Sequence, residues 1–410
     1  MGDDTGDGRR CPRRGSRRVS APAAPPALSP EELAHGEAVA AHLRAAIADA
    51  GGWIGFDRYM ELVLYAPGLG YYSAGARKLG PAGDFVTAPE VAPVFSRCVA
   101  SQCAEVLAGL GGGDVLELGA GSGAMAAAML AEFEALGRLP ARYRILDVSA
   151  DLRERQQATI ASAVPQLLDR VEWLERPPEA FDGVVVANEV LDALPVERFA
   201  WRGGTAHELG VVADGTGFRT VERPASPALA AAVQHLRESC GVDWPDGYVS
   251  EVCGRLAPWL GTLSASLGRG VMLFVDYGLP RREYYAAERV DGTLACHFRH
   301  RYHDDPYARP GLEDVTAWVD FTAVAEAADA AGLEVAGYTT QAHFLIGNGL
   351  DRRLREVGDL DVVGRVNLSR QAMVLTLPGE MGERFKAIAL AKGYDAPLAG
   401  FAVRDLRHTL

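Results

Sequence analysis

Apolar residues recur along this chain in two different periods, and the change of period divides it. From Pro30 the spacing is helical. Ser29 can cap a helix predicted over residues 31–50, and a shorter helix is predicted over Phe56–Leu64. Residues 66–93 hold many Gly, Pro and aromatic residues and few periodic apolar ones, which reads as a lid or binding loop. A helix over Ala92–Leu110 has an apolar face that a core or a dimer interface would bury equally well. Strands and helices then alternate. Strands are predicted at Val115–Leu118, Tyr143–Val148, Val171–Leu174 and Gly183–Ala187, with helices over Ser122–Leu136 and Ala150–Ala163. Val271–Val275 has five residues without a polar side chain, as a strand covered on both faces should. A helix over Phe321–Ala331, a strand over Leu333–Tyr338 and a late strand over Ala372–Leu377 continue the series.

This alternation predicts an α/β fold with a parallel sheet and right-handed crossovers. Two stretches interrupt it. Residues 197–250 read as short strands around Gly203-Gly204 and Asp214-Gly215, then a helix over Pro227–Glu238; residues 279–318 have no clear period. The expected organisation is a disordered tail at 1–30, a helical and lid region at 31–95, and a main domain at 96–410 with inserts at 197–250 and 279–318.

Composition narrows the function classes. The chain has 410 residues, 48% hydrophobic and 23% charged, which is ordinary for a globular protein. A formal net charge of −13 argues against binding nucleic acid by phosphate neutralisation and suits a cationic substrate. Six scattered cysteines form no Cys-x-x-Cys pair, so neither a zinc motif nor a disulfide framework is expected and a reducing, cytoplasmic setting fits. No apolar run reaches the 18 residues of a membrane span. The arginine pairs within residues 9–18 are followed by no apolar segment, so they are not read as a secretory signal.

The candidate chemistry lies at the carboxyl ends of the strands, where open α/β sheets bind ligands. The first strand runs into Gly119-Ala120-Gly121-Ser122-Gly123. Glycines there let the backbone approach a nucleotide-like ligand, and the Gly-x-Gly-x-Gly spacing points to S-adenosylmethionine rather than a dinucleotide. Asp147, after the second strand, is placed to accept hydrogen bonds from ribose hydroxyls; the alternative is a capping acid. An acid between Glu172 and Glu175 would flank the adenine. After the fourth strand, Asn188, Glu189 and Asp192 concentrate polar groups where the reactive methyl would lie. Carboxylates there could bind a guanidinium fork in line for displacement, or Asn188 and Asp192 could simply cap the turn. Asp276, leaving an apolar strand beside Tyr277, is either functional or paired with an arginine. Loop residues Gly83, Asp84, Thr87 and Glu90, and His297, His300 and His303, complete the polar set. No metalloprotease-type motif accompanies the histidines, so His300 is assigned to the substrate side and no metal is expected.

Together these segments resemble the MidA-like methyltransferases, relatives of a mitochondrial complex I assembly factor that methylates arginine. The resemblance spans roughly residues 35–395. It rests on Phe56-Asp57-Arg58-Tyr59-Met60, Tyr65-Ala66-Pro67 with Gly70-Tyr71-Tyr72, Gly83-Asp84-Phe85-Val86-Thr87-Ala88-Pro89-Glu90, Leu116-Glu117-Leu118-Gly119-Ala120-Gly121-Ser122-Gly123, Asn188-Glu189-Val190-Leu191-Asp192-Ala193-Leu194-Pro195, Asp276-Tyr277-Gly278, Gly292-Thr293-Leu294, Asp314-Val315-Thr316 with Val319-Asp320-Phe321, and Met381-Gly382-Glu383-Arg384-Phe385-Lys386. It implies a class I methyltransferase sheet, mostly parallel with a late antiparallel strand. It further implies S-adenosyl-L-methionine held by Gly119, Ala120, Gly121 and Asp147, with the Gly83–Glu90 loop closing over it. The expected activity is N-methylation of a guanidino group, on a protein arginine or free arginine. The alternatives are methylation of another small molecule or peptide, and an assembly factor without turnover. A homodimer is compatible with this reading, as is a mitochondrial matrix location for a eukaryotic member.

Overall fold

The computed structural model describes residues 28–74, 87–147, 149–355 and 361–410. Gly83, Asp84 and most of the arginine-rich tail lie outside the described residues. The first helix, Pro30–Asp49, begins as the sequence demands: Ser29 and Glu32 form a reciprocal capping box and Pro30 occupies the first turn.

Among the described residues the central sheet has eight strands: a short one, Val319–Asp320, pairs with the end of Leu267–Leu279, and seven make the main run. In chain order they are Asp114–Leu118, Tyr143–Leu146, Val171–Leu174, Phe181–Asn188, Leu267–Leu279, Glu334–Thr340 and Phe385–Lys392. Across the sheet they run sixth, seventh, fifth, fourth, first, second, third. The first five are mutually parallel, and the seventh is antiparallel to both its neighbours. The expected α/β sheet with a late antiparallel strand is therefore present, but that strand is not Ala372–Leu377. Those residues belong to the helix Val362–Thr376. The run Met373-Val374-Leu375-Thr376 carries strand-like residues, yet Ala372 and Leu375, three apart, are buried while Met373 and Leu377 face outward. That is a helical face, and Pro378 stops it. The antiparallel position goes to Phe385–Lys392, whose Ala-Ile-Ala-Leu-Ala core is covered on both sides.

Each sheet face carries its own apolar core. Helices Pro93–Leu110, Ala124–Ala135 and Ala150–Ala163 cover one face, around Phe95, Met129, Phe133 and Ile160. Leu256–Ser266 and Phe321–Ala330 cover the other, around Leu260, Phe274 and Phe321. The apolar face of Pro93–Leu110 is thus buried inside the protein.

The interruptions fold outside this sheet. Glu197–Arg202, Thr205–Asp214, Gly217–Pro224 and Tyr248–Val252 make an antiparallel sheet, which Ile54–Gly55 joins from the N-terminal segment. The stretch without period, 279–318, contains a three-stranded sheet of Ala295–Phe298, Arg301–His303 and Asp314–Thr316. The three-stranded sheet stands over the carboxyl end of the central sheet. There the order switches between the first and fourth strands and opens a crevice.

Candidate active site

A cavity of about 1030 Å³ fills that crevice, and its wall passes from the glycine loop to the three-stranded sheet. Gly119 and Gly121 turn the backbone at φ of +63° and +54°, values that side chains rarely adopt. Gly119, Ala120, Gly121 and Ser122 line the cavity. Gly123 does not. It sits behind the loop, where an added Cβ would come within 2.8 Å of the Gln156 Cα. Its role is to let the helix Ala150–Ala163 approach the loop.

Asp147 lines the cavity with its carboxylate held in place: Oδ1 accepts from the Ser149 N–H at 2.9 Å and Oδ2 from Gln156 Nε2 at 2.8 Å. Gln156 is fully buried and also donates to the Gly121 carbonyl, while its own carbonyl accepts the Trp173 indole N–H. One glutamine therefore fixes the glycine loop, the acid and the third strand. The sequence reading passed over Gln156, though a glutamine in the apolar stripe of a helix was its signal. Glu117 lies on the same floor. Burial pushes its carboxyl up to about 7, against the effect of the Tyr143 hydroxyl that donates to it at 2.6 Å. Glu172 and Glu175 face outward, pairing with Arg144 and Arg153, and do not line the cavity.

This floor fits S-adenosyl-L-methionine: a backbone cradle without side chains, an anchored carboxylate for vicinal hydroxyls, and an apolar rim from Leu118, Leu146 and Leu152. Thr87 and Glu90 border it, and the Ser122 hydroxyl donates to Glu90.

The opposite wall is acidic and aromatic. Asn188 ends the fourth strand, and Glu189 follows at φ +54°, a conformation that costs a non-glycine residue about 1–3 kcal/mol. The surroundings impose it. Asp276, buried at the end of the fifth strand, collects the N–H groups of Val190, Leu191 and Asp192 on one oxygen and that of Tyr277 on the other. Asp276 pairs with backbone amides rather than with an arginine, and it stands behind the cavity wall rather than in it. The loop it holds turns Glu189 and Asp192 into the cavity.

Burial pushes the Glu189 carboxyl up to about 8, helped by the nearby Asp192 and opposed by the hydrogen bonds from Asn188 and the Ala88 backbone. Burial likewise raises Asp192 to about 6, opposed by the Tyr277 hydroxyl. One oxygen of Asp192 and the side-chain oxygen of Asn188 are buried with no hydrogen-bond partner. Asp314 completes the acidic set and accepts from the Tyr72 hydroxyl at 2.8 Å. Tyr65 stacks on Tyr72 and donates to the Ala193 carbonyl; Tyr277 donates to Thr316, and Trp318 lies edge-on to it. Tyr65, Tyr72 and Asp314 stood in the sequence only as marks of the family resemblance, without a site role, and Trp318 was not singled out, because all four lie far from the strand ends in sequence.

His300 is not part of this wall. It is exposed at the tip of a hairpin whose two turn residues, Arg299 and His300, both adopt positive φ. Strand alternation points His297 and Tyr302 into the cavity instead.

This geometry has counterparts among known proteins. A family model described as S-adenosyl-L-methionine-dependent methyltransferase matches residues 98–339. The chain is 30% identical to the mitochondrial protein arginine methyltransferase NDUFAF7 of Mus musculus, covering 83% of this chain and 81% of that protein. It is 28% identical to the Danio rerio counterpart, over 87% and 91% of the two chains. A Burkholderia thailandensis protein crystallised with S-adenosyl-homocysteine is 45% identical, with a TM-score of 0.90 over 94% of this chain and all of that one. The cofactor assigned to the glycine loop is therefore the family's, and the chain belongs to this family of S-adenosyl-L-methionine-dependent methyltransferases.

Proposed function

We propose that the chain methylates a guanidino nitrogen of arginine, with an arginine in a protein as the first candidate and free arginine as the second. The observation that carries this reading is the convergence of Glu189, Asp192 and Asp314 on one aromatic-lined wall facing the glycine loop. A delocalised planar cation suits such a wall. Carboxylates take its N–H fork, and the faces of Tyr and Trp take its charge. The curated relatives are named protein arginine methyltransferases, which favours the same acceptor.

When bound, the cofactor supplies a methyl group activated by its sulfonium. The chain's own residues then have three tasks. Asp192, with its unpartnered oxygen, accepts from the acceptor's N–H groups and fixes the attacking nitrogen. Glu189 takes the proton that nitrogen must lose; a carboxyl raised to about 8 is poised for transfer near neutral pH. Tyr65, Tyr72, Tyr277 and Trp318 keep water away from the acceptor. We assign the N-terminal segment and the two inserts to a substrate-side lobe over the cavity. The cell compartment is read as cytoplasm in a bacterium and matrix in a eukaryote, the relatives being named mitochondrial.

The test is transfer of radiolabelled methyl from S-adenosylmethionine to an arginine peptide, the same peptide with lysine, and free arginine. Label on the arginine peptide but not on its lysine counterpart supports the reading. Label on free arginine alone selects the second candidate; label on the lysine peptide, or on none of the three with cofactor binding intact, overturns the reading.

A further inference from the structure

The small sheet that walls the acceptor side has a second face. In the hairpin, Cys296 lies directly opposite His303, and the next residue pair is His297 with Tyr302. Adjacent strand residues point to opposite faces, so the sheet that sends His297, Tyr302 and Asp314 into the cavity sends Cys296, His303 and Glu313 behind it. There the thiol, the imidazole and the carboxylate each place one ligand atom within 4.8 Å of the others. Cys296 and Glu313 are fully buried and His303 is half-buried.

The way these groups meet is informative. His303 Nε2 and Glu313 Oε2 are 3.0 Å apart, yet both are buried with no hydrogen bond of acceptable geometry to any partner. A hydrogen bond to the Asp305 backbone engages the His303 ring elsewhere, which leaves Nε2 as the available nitrogen. The backbone N–H of Arg309 takes the other oxygen of Glu313, and the Arg309 guanidinium reaches Oε2 only at 3.5 Å while lying over the Phe298 ring. Two buried lone pairs and a thiol facing one point, each steadied from behind, form the donor set of a borderline-soft divalent ion.

We propose that Cys296 Sγ, His303 Nε2 and Glu313 Oε2 bind a divalent transition metal, with Zn²⁺ the best match to the donors. The fourth position is left to water. Binding releases the thiol proton and joins the hairpin to Glu313, the residue before Asp314. The ion stays one strand's thickness from the methyl acceptor, so its role is to hold the cavity wall rather than to enter the reaction.

The experiment uses the full chain dialysed against a chelator and then titrated with Co²⁺ and Zn²⁺. The expected result is one Co²⁺ per chain with a thiolate-to-cobalt absorption band, displaced by Zn²⁺, and a rise in unfolding temperature with Zn²⁺ but not Mg²⁺. Cys296→Ser abolishes the band and the rise, and Glu313→Gln, which keeps the thiol, weakens Co²⁺ binding at least tenfold. Absence of the band in the wild-type chain overturns the proposal and leaves a His303–Glu313–Arg309 ion-pair network. A band that survives Cys296→Ser overturns it too, by placing the metal on another cysteine. If Cys296→Ser does not fold, unchanged Co²⁺ affinity in Glu313→Gln is decisive against it.

Discussion

Under the glycine loop, Asp147, Gln156, Ser149 and Trp173 answer one another's hydrogen bonds, and all of them lie within one stretch of fewer than sixty residues. Around Glu189 the reverse holds. Asn188 and Asp192 keep unpartnered buried oxygens, Glu189 sits in a left-handed conformation, and the wall gathers residues from Tyr65 to Trp318. The network of Asp147, Ser149, Gln156 and Trp173 is closed without its ligand. The opposite half carries backbone strain and unpartnered buried oxygens, which on the proposed reading the N–H groups of a guanidino acceptor would meet.

The largest effect is therefore expected on the acceptor side. Glu189→Gln keeps the volume and removes the proton acceptor, so turnover should fall on the order of 10²–10⁴-fold while S-adenosylhomocysteine affinity, measured by calorimetry, stays within about twofold. A matched loss of cofactor affinity would move Glu189 to the other half of the comparison.

The pH dependence comes next. With Glu189 raised to about 8 and Asp192 to about 6, both are increasingly neutral as pH falls. Activity as kcat/KM should rise across that window and be roughly a hundredfold lower at pH 6 than at pH 9, from the Glu189 ionisation alone. Stability should move the other way. The folded Glu189 holds its proton above the ordinary carboxyl value of 4.5, so the empty protein binds more protons than the unfolded chain between about 4.5 and 8. Its contribution is present below that window and is lost as pH rises through it. Denaturant unfolding at both ends, repeated on Glu189→Gln, checks the sign: the variant should show a shallower slope.

The cofactor half should break by packing instead. In Gly123→Ala the new Cβ faces the backbone of Gln156 at 2.8 Å and the residue must hold φ +84°. About 1–2 kcal/mol is expected from the left-handed conformation alone, with weakened S-adenosylhomocysteine binding as the helix Ala150–Ala163 is pushed from the loop. In Asp276→Asn one face of the carboxylate becomes a donor against a backbone N–H, costing about 1–3 kcal/mol in chemical denaturation. Because Asp276 holds the loop of Glu189, its loss should appear in kcat more than in cofactor affinity.

The same contrast explains what could be read from the sequence. The strands Asp114–Leu118 and Val171–Leu174 and the helix Ala150–Ala163 announce themselves by local period, and Asp147 follows from its place after the second strand. Phe385–Lys392 does not, because its alanines carry no strand preference and both faces are covered by distant segments. Asp314 lies in an insert and Tyr72 in the N-terminal region, and only the folded chain brings them to the wall of Glu189. Asp276 was visible as a buried acid, but its partners are amides that no side-chain pattern reveals.

The smallest expected effect separates two histidines three residues apart. The sequence reading assigned His300, not His297, to the substrate side, but the positive φ of Arg299 and His300 makes a two-residue turn that sends His300 into solvent and leaves His297 on the cavity wall. Burial also lowers the His297 imidazole below its usual range, keeping it neutral against the acceptor. His300→Ala should therefore leave kcat/KM within about twofold, as for a surface substitution away from any packed feature. His297→Ala opens the wall beside Asp314 and should raise KM for the acceptor with little change in cofactor affinity. Equal effects of the two substitutions would mean that the hairpin tip folds over the acceptor when it binds, and the acceptor half would then reach beyond the wall described.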